Sequence, residues 1–97
     1  MDSSLDYKVP DGKLLRIDLE HDKKGNMITR VSISGDFFMY PEEAIEKIEG
    51  VLRGMELNKT RILDAIARVA KAERIVFFGL DAESLATAIM MCGEKAR

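Results

Sequence analysis

A chain of 97 residues, 46% apolar and 33% charged, makes a single domain with a modest core, and a net charge of −2 with both signs interspersed argues against a nucleic-acid partner. One cysteine excludes an intrachain disulfide framework, and no apolar run reaches membrane-spanning length. Asp2 and Asp6, with no apolar stretch around them, do not make a signal peptide, so a cytoplasmic protein without membrane attachment is expected.

Residues 1–8 are short and polar and are expected to be loose, with 1–7 flexible. Pro10-Asp11-Gly12 is a turn signal. Residues 13–21 alternate: Leu15, Ile17 and Leu19 share one face, and Arg16, Asp18 and Glu20 the other, which predicts a half-buried strand. Residues 22–26 read as a hairpin loop with Gly25 at a left-handed position. Residues 27–34 form the returning strand, with Thr29, Val31 and Ile33 on one face. A three-residue loop over 23–25 pairs Asp22 with Asn26. It sets Leu19 opposite Thr29, Ile17 opposite Val31, Leu15 opposite Ile33 and Asp18 opposite Arg30.

Pro41 suits the first position of a helix over 41–53, with Glu42 and Glu43 at the positive end of its dipole. Ala44, Ile45, Ile48, Val51 and Leu52 form its apolar stripe, Gly50 permits close packing, and Gly54 is a natural stop. Asn58 caps a second helix running to about 72, with Ile62, Leu63, Ile66, Val69 and Ala70 on its apolar face. The acidic face of the first helix (Glu42, Glu46, Glu49) and the basic face of the second (Lys59, Arg61, Arg68, Lys71) read as solvated. The run Ile75-Val76-Phe77-Phe78 reads as a short buried strand. Asp81 caps a third helix to about 94, and Leu80 can staple to Leu85. The expected fold is α+β in the order β-β-α-α-β-α. A small sheet, a β-hairpin plus one further short strand, carries three helices packed on one face.

Catalysis has little to stand on. His21, the only histidine, sits at the hairpin tip and reads as solvated. Cys92 lies late in an apolar helix beside Glu94, which favours packing over nucleophilic chemistry. No Cys and His cluster has metal-ligand spacing, and there is no GxxxxGK phosphate loop; Asp11-Gly12-Lys13 offers backbone N–H groups and one cation to an anion. The alternation also turns Leu14 and Ile28 away from the helices. Past Gly35 a straight strand would point Phe37 inward and Phe38 outward, making a Leu-Ile-Phe partner surface; a bend at Gly35 would instead take both rings into the core.

Three stretches in order carry a resemblance. Lys8, Pro10, Gly12, Lys13 and Leu14 match a strand opening K-x-P-x-G-K-L. Ser34, Gly35, Asp36, Phe37 and Phe38 match an S/T-G-D-F-F motif, and Pro41, Glu42 and Glu43 match a helix opening P-E-E. Over residues 8–54 the chain resembles the C-terminal domain of lipoate–protein ligases, with Asp11 standing where many relatives have glycine.

The resemblance implies a non-catalytic accessory subunit of a two-component ligase, whose catalytic chain binds lipoate and MgATP; no cofactor is expected on this chain alone. Such a ligase makes lipoyl-AMP and then passes lipoyl to a lysine of a lipoyl domain in a 2-oxoacid dehydrogenase complex, or of a glycine-cleavage carrier protein. The small domain serves the adenylation step. Lys13 and Gly12 are then expected to support adenylation, and Lys8, Leu14, Ile28, Asp36 and Phe38 to form the partner interface. Two rival readings remain at this level: a generic heterodimerisation module, and a sulfur-transfer or iron–sulfur assembly protein using Cys92.

Overall fold

The computed structural model describes residues 2–10, 12–22, 24 and 26–95; Asp11 of the turn and Lys23 and Gly25 of the hairpin loop lie outside them. The elements are β1 (Asp2–Lys8), β2 (Leu14–His21), β3 (Ile28–Gly35), β4 (Phe38–Tyr40), α1 (Ala44–Leu52), α2 (Lys59–Ala72), β5 (Val76–Phe78) and α3 (Ala82–Lys95). The fold is α+β, in the order β-β-β-β-α-α-β-α. A three-stranded antiparallel sheet is ordered β1-β2-β3, and β4 and β5 form a separate two-stranded ribbon. Helix α3 packs on β1 and β2, α1 on β3 and β4, and α2 lies against both other helices.

Period-two patterning makes β2 as expected. Leu15 and Ile17 are fully buried and Leu19 nearly so, while Arg16 faces solvent. The same alternation carries one inward position further, to His21, which is 2% exposed and lies inside the fold rather than in water. The hairpin register differs from the expected one. Ile17 sits opposite Ile33, Leu19 opposite Val31 and Leu15 opposite Gly35, while Asp18 meets Ser32 and Arg30 meets Glu20. Two local causes add up to this slip. The loop closes on a hydrogen bond from the Asp22 N–H to the Met27 carbonyl (2.7 Å), one residue later than a three-residue loop would close. Beyond it, the ladder steps from His21 opposite Ile28 to Glu20 opposite Arg30, so Thr29 is an extra, bulged residue. Its hydroxyl donates back to the Glu20 carbonyl at 3.0 Å. A slip of two keeps the faces of Val31 and Ile33, and the bulge exchanges Thr29 and Ile28: Thr29 is exposed and Ile28 is 1% exposed.

The N-terminal segment is an edge strand, not a loose tail. β1 pairs with β2 along its whole length, from Asp2 opposite Glu20 to Lys8 opposite Leu14. Its inward residues, Leu5 and Tyr7, pack against the core, and the Ser3 hydroxyl donates to the Cys92 carbonyl of α3 at 2.7 Å. The opposite edge, β3, is tied to α1 by the Glu49 carboxylate, which accepts from the Ile33 N–H at 2.8 Å. An unpaired edge amide thereby gains a strong acceptor, and Glu49 is not simply solvated.

Helix α1 starts later than the Pro41 signal suggests. The Ala44 N–H donates to the Pro41 carbonyl (3.0 Å) in a turn, and the helix proper begins at Ala44. Ala44, Ile48 and Leu52 are fully buried, whereas Val51 is 41% exposed. A Cβ on Gly50 would touch nothing within 4 Å, so this glycine serves no close packing. Both expected side-chain caps are present: Asn58 Oδ1 accepts from the Arg61 N–H (3.1 Å), and Asp81 Oδ1 from the Ser84 N–H (2.7 Å). Leu80 and Leu85, the expected staple pair, are both buried.

Candidate functional site

The chain between β1 and β2 folds back on itself. The Gly12 N–H donates to the Val9 carbonyl (2.8 Å), and the Val9 N–H to the Lys13 carbonyl (3.1 Å). The Lys8 ammonium donates to the Gly12 and Val9 carbonyls, so it clamps its own turn. The Lys13 N–H donates outward, to the Gly79 carbonyl at 2.9 Å. With both N–H groups engaged, Gly12 and Lys13 offer no backbone cradle for an anion; what they present is the Lys13 side chain, which is exposed. Its stem lies over Gly79, where an added Cβ would come within 2.6 Å of the Lys13 Cγ. Gly12 is there for the same close approach: a Cβ on it would fall 2.5 Å from the Gly79 carbonyl oxygen. Beside this weld, a shallow cleft of about 230 Å³ opens between Pro10, Gly12 and Asp81.

Gly79 is also the end of the ribbon. β4 and β5 pair with Phe38 opposite Phe78, Met39 opposite Phe77 and Tyr40 opposite Val76. Met39 and Phe77 turn toward the core. Phe38, Tyr40, Val76 and Phe78 turn to solvent, at 75, 68, 46 and 57% exposure. Phe37 is buried and Phe38 is not, which decides between the two courses open at Gly35. The cause is a break after β3. Gly35 has φ of +142° and lies against the Leu14 carbonyl, the Asp36 N–H closes on that carbonyl (3.0 Å), and the chain restarts against β5. The run 75–78 is therefore not a buried strand: its alternate residues are half of an aromatic surface.

The residues expected to support adenylation and those expected at the interface separate accordingly. Lys8, Gly12, Lys13, Leu14 and Asp36 gather at one end of the molecule beside Phe38, linked through Gly79 and the Leu14 carbonyl. Leu14 is 42% exposed. Ile28 lies at the far end of β3, inside the core, and belongs to no surface. Sequence patterning alone does not place Tyr40, Val76 and Phe78 on a surface. Tyr40 follows Phe38 at strand spacing, and Val76 and Phe78 share one parity before a glycine, a signal that becomes readable only once two short strands pair.

The outer face of the three-stranded sheet is of a different kind. Arg16 reaches Asp6 at 3.1 Å and Asp18 at 3.3 Å, and Arg30 reaches Glu20 at 3.7 Å. The Asp18 and Asp6 carboxylates raise the Arg16 pKa further, so this face stays charged and hydrated. Cys92 is fully buried, with its thiol 3.3 Å from the Ser3 hydroxyl and 3.7 Å from the Ile17 carbonyl. Burial pushes its pKa up, with the Ser3 contact opposing it. A buried thiol held protonated is no nucleophile, which removes the physical basis of a sulfur-transfer role. Among the described residues no group of three or more His, Cys, Asp or Glu is placed to hold a metal ion, and no helix is long and apolar enough to cross a membrane.

The fold is a small α+β unit that presents a lysine turn and a largely aromatic ribbon at one end. The family described as the bacterial lipoate protein ligase C-terminus matches residues 5–89, and the chain belongs to that family. It is 45% identical to the lipoate-protein ligase A subunit 2 of Thermoplasma acidophilum over 56 residues, 58% of this chain and 56% of that protein, so the aligned part spans little over half of that relative. Its fold also matches a chain in a structure of a bipartite lipoate protein ligase and its E2 lipoyl domain from the same organism. That match has a TM-score of 0.78 at 34% identity and covers 92% of this chain and 94% of that one.

Proposed function

We propose that this chain is a non-catalytic accessory subunit of a two-component lipoate–protein ligase, needed with its catalytic chain for the ATP-dependent activation of lipoate to lipoyl-AMP. The observation that carries this reading is the match of residues 5–89 to the lipoate protein ligase C-terminus, together with a likeness over 92% of this chain and 94% of a chain in a structure of a bipartite ligase and its E2 lipoyl domain. The catalytic chain holds lipoate and MgATP as its substrates. The lipoate carboxylate displaces pyrophosphate from ATP, and the acyl group then passes to a lysine amine of a lipoyl domain with loss of AMP. The lipoyl domain in that bipartite-ligase structure supports an acceptor of this kind.

In this reading Lys13 supports the first half-reaction. The bond from its N–H to Gly79 and the turn closed by Gly12 fix the root of the side chain, so the ammonium is presented from a rigid base. A lysine so held meets phosphate oxygens, or a carboxylate of the catalytic chain, as a point charge. It takes no part in bond making. Cys92 is excluded from the chemistry by its burial.

The test is pyrophosphate release from lipoate and MgATP with this chain, with the catalytic chain, and with the two together. Background from this chain alone and turnover from the pair are expected. Turnover that co-elutes with this chain by itself contradicts the reading, as does a catalytic chain that is fully active without it.

A further inference from the structure

Four apolar side chains on one face of a two-stranded ribbon are unusual on a protein of this size. Single exposed hydrophobic residues are ordinary, but contiguous aromatic area marks a place where another molecule sits. The ladder makes the four contiguous, since Phe38 faces Phe78 and Tyr40 faces Val76 across the strand pair. Their exposure is the opposite of what the core does with the alternate residues of the same strands: Met39 is 9% exposed beside Phe38 at 75%.

Area and position say what covers them. A large aromatic side chain buries roughly 150–250 Å², so covering the exposed parts of these four removes on the order of 400 Å². That is about half of the roughly 800 Å² that each partner contributes to a stable interface, and it includes Tyr40, of a type enriched among interface hot spots. The patch is also continuous with the lysine turn, because Phe78 precedes Gly79 and the Lys13 stem lies over Gly79. In the accessory-subunit reading, where the catalytic chain meets Lys13, that chain also comes alongside Phe78. We infer that the ribbon face formed by Phe38, Tyr40, Val76 and Phe78 is the docking surface for the catalytic chain of the ligase, and that it receives an apolar patch of that chain. The inference rests on the accessory-subunit reading and adds which surface serves it.

The experiment measures binding of the full chain to the catalytic chain by titration calorimetry, with sedimentation of each protein alone. The variants are Phe38→Ser/Phe78→Ser, its conservative counterpart Phe38→Leu/Phe78→Leu, and Arg30→Ala on the other sheet. All three keep the parent's thermal unfolding midpoint within a few degrees, because the altered groups are exposed. The double serine variant is expected to lose at least a hundredfold in affinity, the double leucine variant to recover most of that loss, and Arg30→Ala to bind like the parent. Binding of the double serine variant with parent affinity overturns the inference while leaving the accessory reading in place. A parent chain that does not bind the catalytic chain at all overturns both. A parent that dimerises by itself through the patch, and a double serine variant that is monomeric, would assign the surface to a second copy and overturn it as well.

Discussion

The two sheets of this protein treat their outer faces in opposite ways. The three-stranded sheet turns an Arg16 network with Asp6 and Asp18, and an Arg30–Glu20 pair, toward water. The ribbon turns two phenylalanines, a tyrosine and a valine toward it. Both have apolar inner faces in the same core cluster, so folding alone does not require the difference. A charged face is readily solvated, whereas a contiguous apolar one marks a place of contact. That contrast is the ground for proposing association at the ribbon, with the larger sheet as scaffold.

The largest expected effect sharpens the contrast between inside and outside. Ile17→Ala removes a fully buried side chain of the large sheet and should cost about 2–5 kcal/mol of stability. Phe38→Ala, although it deletes a bigger group, should change the stability of the isolated chain by no more than about 0.5 kcal/mol. Urea unfolding of both variants measures this, and a Phe38→Ala cost near that of Ile17→Ala would mean that the ribbon is core rather than contact surface.

Next in size is Lys13→Ala. A charge-assisted contact is worth about 1.5–3 kcal/mol, so adenylation by the reconstituted pair should slow roughly ten- to a hundredfold. Transfer from pre-made lipoyl-AMP should suffer less, because the triphosphate is gone by then. Both half-reactions are assayed at saturating partner; parent-like adenylation would leave Lys13 a surface lysine and concentrate function on the ribbon.

Asp81 tests how firmly the ribbon end is held, since it caps α3 two residues after Gly79. Asp81→Ala should cost about 0.5–2 kcal/mol at neutral pH. The bond accepted from the Ser84 N–H, with a second contribution from the Ser84 side chain, holds the Asp81 carboxyl below the usual carboxylate range. Its contribution is therefore fully present above the unfolded aspartate value of about 3.9 and is lost as pH falls through the lower folded value. The gap between parent and variant should narrow as pH falls into the acid range; a gap of the same size at neutral and acid pH would mean that the carboxylate charge is not its source. The smallest effect belongs to the charged face: Arg30→Ala should move stability by less than about 0.5 kcal/mol, as measured in the same urea series.

Much of this architecture is legible in the amino-acid sequence. β2 follows from alternation, α2 and α3 from stripes of apolar residues, and the caps Asn58 and Asp81 from their chemistry. What is not legible has physical reasons. β1 offers only Leu5 and Tyr7 as inward apolar residues, and its strand character comes from pairing along β2. The bulge at Thr29 leaves no mark in composition, so neither the register nor the burial of Ile28 can be read from it. The burial of His21 does follow from strand parity, which here outweighs its nearness to the hairpin tip. The aromatic surface is half visible: an outward Phe38 is one of the two courses open past Gly35, whereas Phe78 needs the pairing of two three-residue strands that neither segment signals alone.

The central claim is that the ribbon and lysine turn face the catalytic chain while the charged sheet face does not. Titrating the catalytic chain into ¹⁵N-labelled full chain and following backbone amide resonances tests it most directly. Shifts or broadening should concentrate on Lys13, on Phe38, Met39 and Tyr40, and on Val76, Phe77, Phe78 and Gly79, with Asp6, Arg16 and Asp18 little changed. Perturbation centred on Arg16 and Asp18, with the ribbon silent, would contradict the account.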